Sequence, residues 1–320
     1  MTTTLQRWLF GLVAAIVAAD MAWAALGHFR IDTLAYVRVA VLASALLGGG
    51  LYYQRKRSEP ALAAMLMGTA FLCTFSAGAS VLNYFLLTVA GRRIDNLLAA
   101  ADHALGFDWY RMMLAIGHHP LLNQVLFRAY NVALPEIAVL LVALAWCGRA
   151  ESIYRYCLAI ASGALICVFL WTLAPSFGAM SLHALPPGFD LPLSVDAGYG
   201  KALVALLHDG PGFISPAELR GLIGFPSYHG VLALLAAWYG WQMRLLRWPL
   251  LLVNLLVLVA TPVQGGHHLI DVLAAFPVAA LAVFIAGSVE NVKLVNKPSS
   301  VYEHSARMAA IPYHHDTDRR

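Results

Sequence analysis

The chain has 320 residues, 60% of them hydrophobic and 12% charged. A soluble domain holds about 45–50% apolar and about 25% charged residues, so a soluble globular domain is excluded and the composition is that of a polytopic membrane protein. The formal net charge is only +4, and without a basic stripe interleaved with aromatics nucleic acid is excluded as a partner.

A membrane span needs roughly 20 apolar residues. In chain order the candidates are residues 8–25, 34–53, 61–90, 124–147, 153–174, 227–243, 248–263 and 268–289, about eight spans in all. Arg7 followed by an apolar run without a small-x-small cleavage site reads as a retained span rather than a leader. Cys73, Cys147, Cys157 and Cys167 fall in or beside apolar segments and read as small core residues. The fold class expected is all-α, a polytopic membrane helix bundle.

Loop charges set the orientation. With the N-terminus in the cytoplasm, 13 lysines and arginines fall inside and 8 outside, and Arg55-Lys56-Arg57 and Arg244…Arg247 lie in short inner loops. Both termini are then cytoplasmic. Residues 92–120 carry Ile94, Leu97, Leu98 and Ala101 at helical spacing, then Trp109, Met112 and Met113; this predicts an amphipathic helix in the outer interface. Residues 175–225 form a long outer loop rich in proline and glycine, with a short helix expected over 201–208. A loop of that length usually has a function. The expected division is two N-terminal spans (1–60), a membrane core (61–290) containing the 175–225 loop, and a cytoplasmic tail (291–320).

Two stretches carry chemistry. In Phe225-Pro226-Ser227-Tyr228-His229, proline suits a first helical position and serine caps free amides. A helix N-terminus attracts an anion, and His229 would stand beside it. An ordinary helix start with an interfacial histidine is the plainer alternative. In Gly265-Gly266-His267-His268-Leu269-Ile270-Asp271, His267 and Asp271 are four apart and share one helix face. A carboxylate on one imidazole nitrogen fixes the tautomer and leaves the other free as base or nucleophile. Asp271 also sits in an apolar run, where an ionisable residue is costly and usually functional. A His–Asp pair that only links helices is the alternative. The separation of the two stretches fits one hairpin of two spans, which puts both mouths on the same, outer face.

Together, Pro226-Ser227-x-His229 and His267-x-x-x-Asp271-Val272-Leu273 resemble the type 2 phosphatidic acid phosphatase superfamily, and within it the branch of inositol phosphorylceramide synthases. The resemblance implies a six-helix phosphatase-type core preceded by an interfacial helix. It implies that His267 is a nucleophile forming a phosphohistidine, Asp271 its orienting carboxylate, and His229 the proton donor to the leaving group. Ser227, Gly266 and neighbouring amides would hold phosphoryl oxygens. No metal and no cofactor are implied, and the substrate would be a phospholipid or prenyl phosphate within a membrane, such as a bacterial inner membrane, with the site facing the periplasm or outside.

Some positions depart from the family pattern. The arginine expected six residues before the nucleophile is Thr261, the Lys…Arg-Pro signature is not recognisable, and Ala275 stands where glycine is frequent. The cation for the phosphate is therefore open among Arg92, Arg93, Arg128, Lys201 and Arg220. Arg128 is preferred because it lies inside an apolar span, with pairing to Glu136 or snorkelling as its plainer roles. His268 is expected as a pocket residue. Asp20, Asn83, Asn131 and Asn254 read as interhelical hydrogen-bonding groups. Two other classes stand beside the lipid phosphatase or phosphotransferase: a zinc enzyme using His229, His267, His268 and Asp271, and a proton-coupled transporter, for which no inverted repeat is visible.

Overall fold

The computed structural model describes residues 4–27 and 29–295, with side chains to residue 289. Most of the expected tail, including His314-His315, lies outside the described residues. The chain is an all-α membrane bundle with two short strands: α1 (Thr4–Gly27), β1 (Arg30–Ile31), α2 (Thr33–Tyr52), α3 (Pro60–Leu86), α4 (Asp95–Ala104), α5 (Trp109–Gly117), α6 (Pro120–Trp146), α7 (Ala150–Leu173), α8 (Tyr199–Asp209), β2 (Phe213–Ile214), α9 (Tyr228–Gly240), α10 (Arg247–Gln264) and α11 (Leu269–Val295).

Seven of these helices are long and apolar enough to cross a membrane: α1, α2, α3, α6, α7, α10 and α11. The remaining expected span, residues 227–243, forms α9, which has only 13 residues and is followed by turns. At 1.5 Å per residue it rises about 20 Å, less than the about 30 Å of a hydrocarbon core. It is surrounded by α6, α7, α10 and α11. The chain approaching it is itself apolar: Leu222 is fully buried and Ile223 packs on the main core. An inner helix need not present a full-length lipid-facing surface.

The main core cluster is contributed mainly by α3, α7, α9 and α11, with Phe71, Ile153, Tyr156, Leu235 and Ala282 fully buried in it, and smaller clusters lie beside it. The N-terminal hairpin leans on α3. Gly50 of α2 sits so close to it that a Cβ there would come within 2.5 Å of Met67 Cγ, the small-residue approach typical of membrane helices. Two polar pairs join helices inside the bundle: Gln6 donates to Tyr154 Oη at 2.7 Å, and Asn254 donates to Glu136 Oε1 at 2.8 Å, whereas Asp20, expected to pair with a neighbouring helix, is buried with its Oδ1 unpartnered.

The segment expected as one interfacial helix is two short helices, α4 and α5, turned by Gly106 at a positive φ of 77°. Neither lies free in the interface. Trp109 Nε1 donates to the Pro262 carbonyl of α10 at 2.9 Å, and α4 packs on the start of α11. The reason is polar: Asp95 and Asp102 occupy the inner face of α4 and are 1% and 3% exposed.

Candidate active site

Both chemical stretches open at one end of the bundle, and a backbone hydrogen bond joins them: Ser227 N–H donates to the Asp271 carbonyl at 3.0 Å. Ser227 is the N-cap of α9, its side chain accepting from Gly230 N–H at 3.3 Å. Pro226 therefore precedes the cap and is not the first helical residue. Ser227 is completely buried.

His267 and Asp271 pair as their spacing predicts. His267 Nδ1 lies 3.1 Å from Asp271 Oδ2, and the carboxylate is fully buried. The same oxygen accepts His268 N–H at 2.9 Å, a first-turn acid reaching back to the cap residue as in a capping box. Nε2 of His267 is the ring nitrogen left for chemistry.

His229 is held by a residue that the sequence reading passed over. The Tyr130 ring stacks on it at 4.3 Å between centroids, and Tyr130 Oη lies 3.3 Å from His229 Nδ1. Tyr130 also borders the other motif, because a Cβ on Gly265 would fall 2.8 Å from its hydroxyl and 2.7 Å from His267 Cδ2. The available signal was a tyrosine-asparagine pair, Tyr130-Asn131, inside an apolar span.

His229, His267, Tyr130 and Gly265 line one cavity of about 400 Å³. Its other walls are α3 (Phe75, Ser76, Ala79, Ser80, Asn83, Tyr84), α7 (Ala164, Val168) and the 174–227 loop, including Tyr199 and Arg220–Gly224. Asp271 stands behind His267, outside the lining. Gly266 is also outside it. Its φ of +63° and its carbonyl, which accepts Met180 N–H at 3.1 Å, make it the anchor of the loop. Gly178 approaches that carbonyl so closely that a Cβ would meet it at 2.4 Å.

Several expectations change. Arg128 is exposed on α6 and is not part of the cavity wall. It stands eight residues from Glu136, about 12 Å along a helix, and Glu136 is bonded to Asn254 instead. Of the asparagines expected to join helices, Asn254 does so, while Asn83 and Asn131 line the cavity, and Asn131 donates to Ser194 of the loop at 2.7 Å. His268 is not in the cavity wall. Its Nδ1 lies 3.2 Å from Asp102 Oδ2 and its Nε2 3.5 Å from Asp95 Oδ1. It points away from His267, so the four residues of the zinc reading do not converge on one point.

The two helix mouths also differ. At α11, Asp102 accepts Leu269 N–H and Ile270 N–H at 3.1 and 3.0 Å, so the protein's own carboxylates fill that N-terminus. At α9, among the described residues, no protein acceptor bonds the Tyr228 and His229 amides. Of these two N-termini, that of α9 is the one that offers free donors to an anion.

Asp95 ties α4 to the loop after α7. It accepts from Ser176 Oγ and Phe177 N–H, both at 2.9 Å, and is bonded by Arg93, which also reaches Ser181. Burial works to raise its pKa, but the nearby His268 imidazole and the hydrogen bonds from Arg93 and Ser176 outweigh it and hold the carboxyl below the usual carboxylate value. Asp95 and Asp102 are seven apart, two turns on one helix face, a spacing legible in the sequence.

The family model described as the PAP2 superfamily matches residues 96–285. The chain belongs to the PAP2 superfamily. The match runs from the second residue of α4 into α11 and so takes in both motifs of this PAP2 chain, while α1 to α3 precede it. Neither the curated proteins nor the solved structures gave a match.

Proposed function

We propose that this PAP2 protein cleaves or transfers the phosphate group of a membrane lipid through a phosphohistidine on His267. The observation that carries the reading is that His229 and His267 line one cavity, with Asp271 seated behind the nucleophile. In the first half-reaction His267 Nε2 attacks phosphorus and the bond to the leaving oxygen breaks. His229 gives that oxygen a proton, while Asp271 receives the hydrogen bond of the Nδ1–H as positive charge grows on the ring. In the second half-reaction an acceptor hydroxyl loses its proton to His229 and attacks phosphorus, which frees His267. The Tyr228 and His229 amides at the start of α9 are the donors available to the phosphoryl oxygens, with Ser227 shaping that turn. Phosphoryl transfer asks mainly for positioning and charge neutralisation, and this set is suited to both.

The cavity's apolar side, with Phe75, Ala79, Ala164 and Val168, suits acyl or prenyl chains. The resemblance to the inositol phosphorylceramide synthase branch favours a lipid alcohol as acceptor, so headgroup transfer is the preferred reaction over hydrolysis. The site end lies opposite the Arg55-Lys56-Arg57 loop, which by the positive-inside bias makes it the outer face. The two N-terminal spans (1–60), the membrane core (61–290) and the tail (291–320) are read as separate functional parts.

The test uses purified protein with radiolabelled phosphatidate, with and without ceramide and an inositol-lipid donor. His267→Ala, His229→Ala and Asp271→Asn should each lower turnover roughly a thousandfold or more, while acid-labile label appears on the parent protein only. Full activity in the His267→Ala protein would sink the mechanism. Product appearing as a new phospholipid, rather than inorganic phosphate, supports transfer.

A further inference from the structure

A phosphate in the cavity needs a cation, because a buried anion without one is strongly unfavourable. The outer-side cations differ sharply in placement. Arg93 is bonded to Asp95 and Ser181 and lies over the Phe177 ring at 4.6 Å, so its charge is already met. Arg92, Arg128 and Lys201 are exposed and outside the cavity wall. Arg220 is exposed as well, but it borders the cavity. Among the described residues no carboxylate forms an ion pair with it.

The backbone at Arg220 is held from two sides. Its N–H donates to Tyr84 Oη of α3 at 2.7 Å, and Tyr199 Oη of α8 donates to the Gly221 carbonyl. The same loop is tied to the connector between the first two spans. Arg30 and Ile31 pair in parallel with Phe213 and Ile214. Asp32 N–H donates to the Ile214 carbonyl at 2.9 Å, and Ser215 Oγ donates to Asp32 Oδ2 at 2.9 Å. Asp32 Oδ1 meanwhile caps α2 through Ala35 N–H. One carboxylate thus joins the start of a span to the loop that carries Arg220.

We propose that Arg220 holds the anionic phosphate group of the substrate, and that the Arg30–Asp32 connector of the N-terminal hairpin positions it by latching the 174–227 loop over the cavity. This rests on the phosphate-handling reading above. It places the charge clamp on the loop before α9 rather than on the helices, and it assigns a role to a hairpin outside the matched region. Arg220 is a binding residue here, and Asp32 and Ser215 act through it.

Two readouts separate the clamp from the reaction: KM for phosphatidate in mixed micelles, and binding of inorganic phosphate followed by intrinsic tyrosine and tryptophan fluorescence. Arg220→Gln should raise KM at least tenfold, more than it lowers kcat, and weaken inorganic phosphate by a similar factor. Arg220→Lys should recover part of both, while Lys201→Gln should match the parent. Asp32→Ala and Ser215→Ala should shift KM in the same direction by a smaller factor. Added to Arg220→Gln, Asp32→Ala should change KM little further, since the guanidinium it positions is already gone. The clamp is overturned if Arg220→Gln leaves both KM and phosphate affinity within twofold of the parent. The latch is overturned if Asp32→Ala adds its full effect on top of Arg220→Gln. A parent protein that binds phosphate through Arg220 yet turns over no lipid would sink the phosphohistidine reading and uphold the clamp.

Discussion

Replacing Asp102 by alanine tests how the start of α11, and with it the nucleophile, is held. The carboxylate is 3% exposed and accepts three hydrogen bonds, from Leu269 N–H, Ile270 N–H and His268 Nδ1. Removing it leaves two buried helix amides and a buried imidazole without their acceptor. Loss of a helix cap alone costs about 0.5–2 kcal/mol, and breaking a buried charged pair costs about 3–5 kcal/mol. The first is part of the second, so the expected loss is about 3–5 kcal/mol. Asp102→Asn keeps an oxygen that can accept from the amides and should cost less than half as much. The assay is reversible unfolding in mixed micelles by SDS titration, followed by tryptophan fluorescence, alongside lipid turnover. Turnover should fall further than the folded fraction, because His267 and Asp271 ride on the displaced turn. A loss of stability below about 1 kcal/mol for Asp102→Ala would refute the assignment of these three bonds to the cohesion of the site.

Asp95 sets an acid limit. Its folded pKa lies below its ordinary value, so its contribution to stability is complete above the unfolded pKa of about 3.9 and is lost as pH falls through the lower folded value. Unfolding midpoints measured from pH 6 down to pH 3 should drop for the parent and drop less steeply for Asp95→Asn; equal slopes would exclude Asp95 as the source. Gly178 and Gly188 both have positive φ, 80° and 75°, but only Gly178 is crowded, with the Gly266 carbonyl 2.4 Å from a Cβ. Gly188→Ala should cost about 1 kcal/mol through the backbone alone, while Gly178→Ala should cost roughly 2–3 kcal/mol with overpacking added, measured by the same unfolding assay. Tyr130→Phe keeps the ring stacked on His229 and removes the hydroxyl from Nδ1. It should lower kcat about tenfold with little change in stability, as expected when a general acid loses its orienting bond; an unchanged kcat would leave Tyr130 as packing only.

How much could be read along the chain follows from how local each feature is. Apolar length alone marks the spans, since the bilayer demands about 20 apolar residues whatever their neighbours are. The His267–Asp271 pair follows from a four-residue helical spacing, and the cap at Ser227 from its residue type beside an apolar run. Each of these contacts lies within one or two turns. The short α9 was overestimated because hydropathy measures apolar length and not helix length, and Trp241 and Met243 in the turns after it extend the apolar run.

The rest depended on which distant segments meet. Asp102 reaches the His268 ring across 166 residues, and Ser215 reaches Asp32 across 183. No local pattern reports such pairings. They fill the N-terminus of α11 with a protein carboxylate and tie the loop before α9 to the first connector, and it is Arg220 of that loop, not Arg128, that borders the cavity. A span's apolar sequence does not say which of its faces will meet lipid and which will meet another helix. Only packing decides that, and on α6 it placed Tyr130 inward and Arg128, two residues earlier, outward.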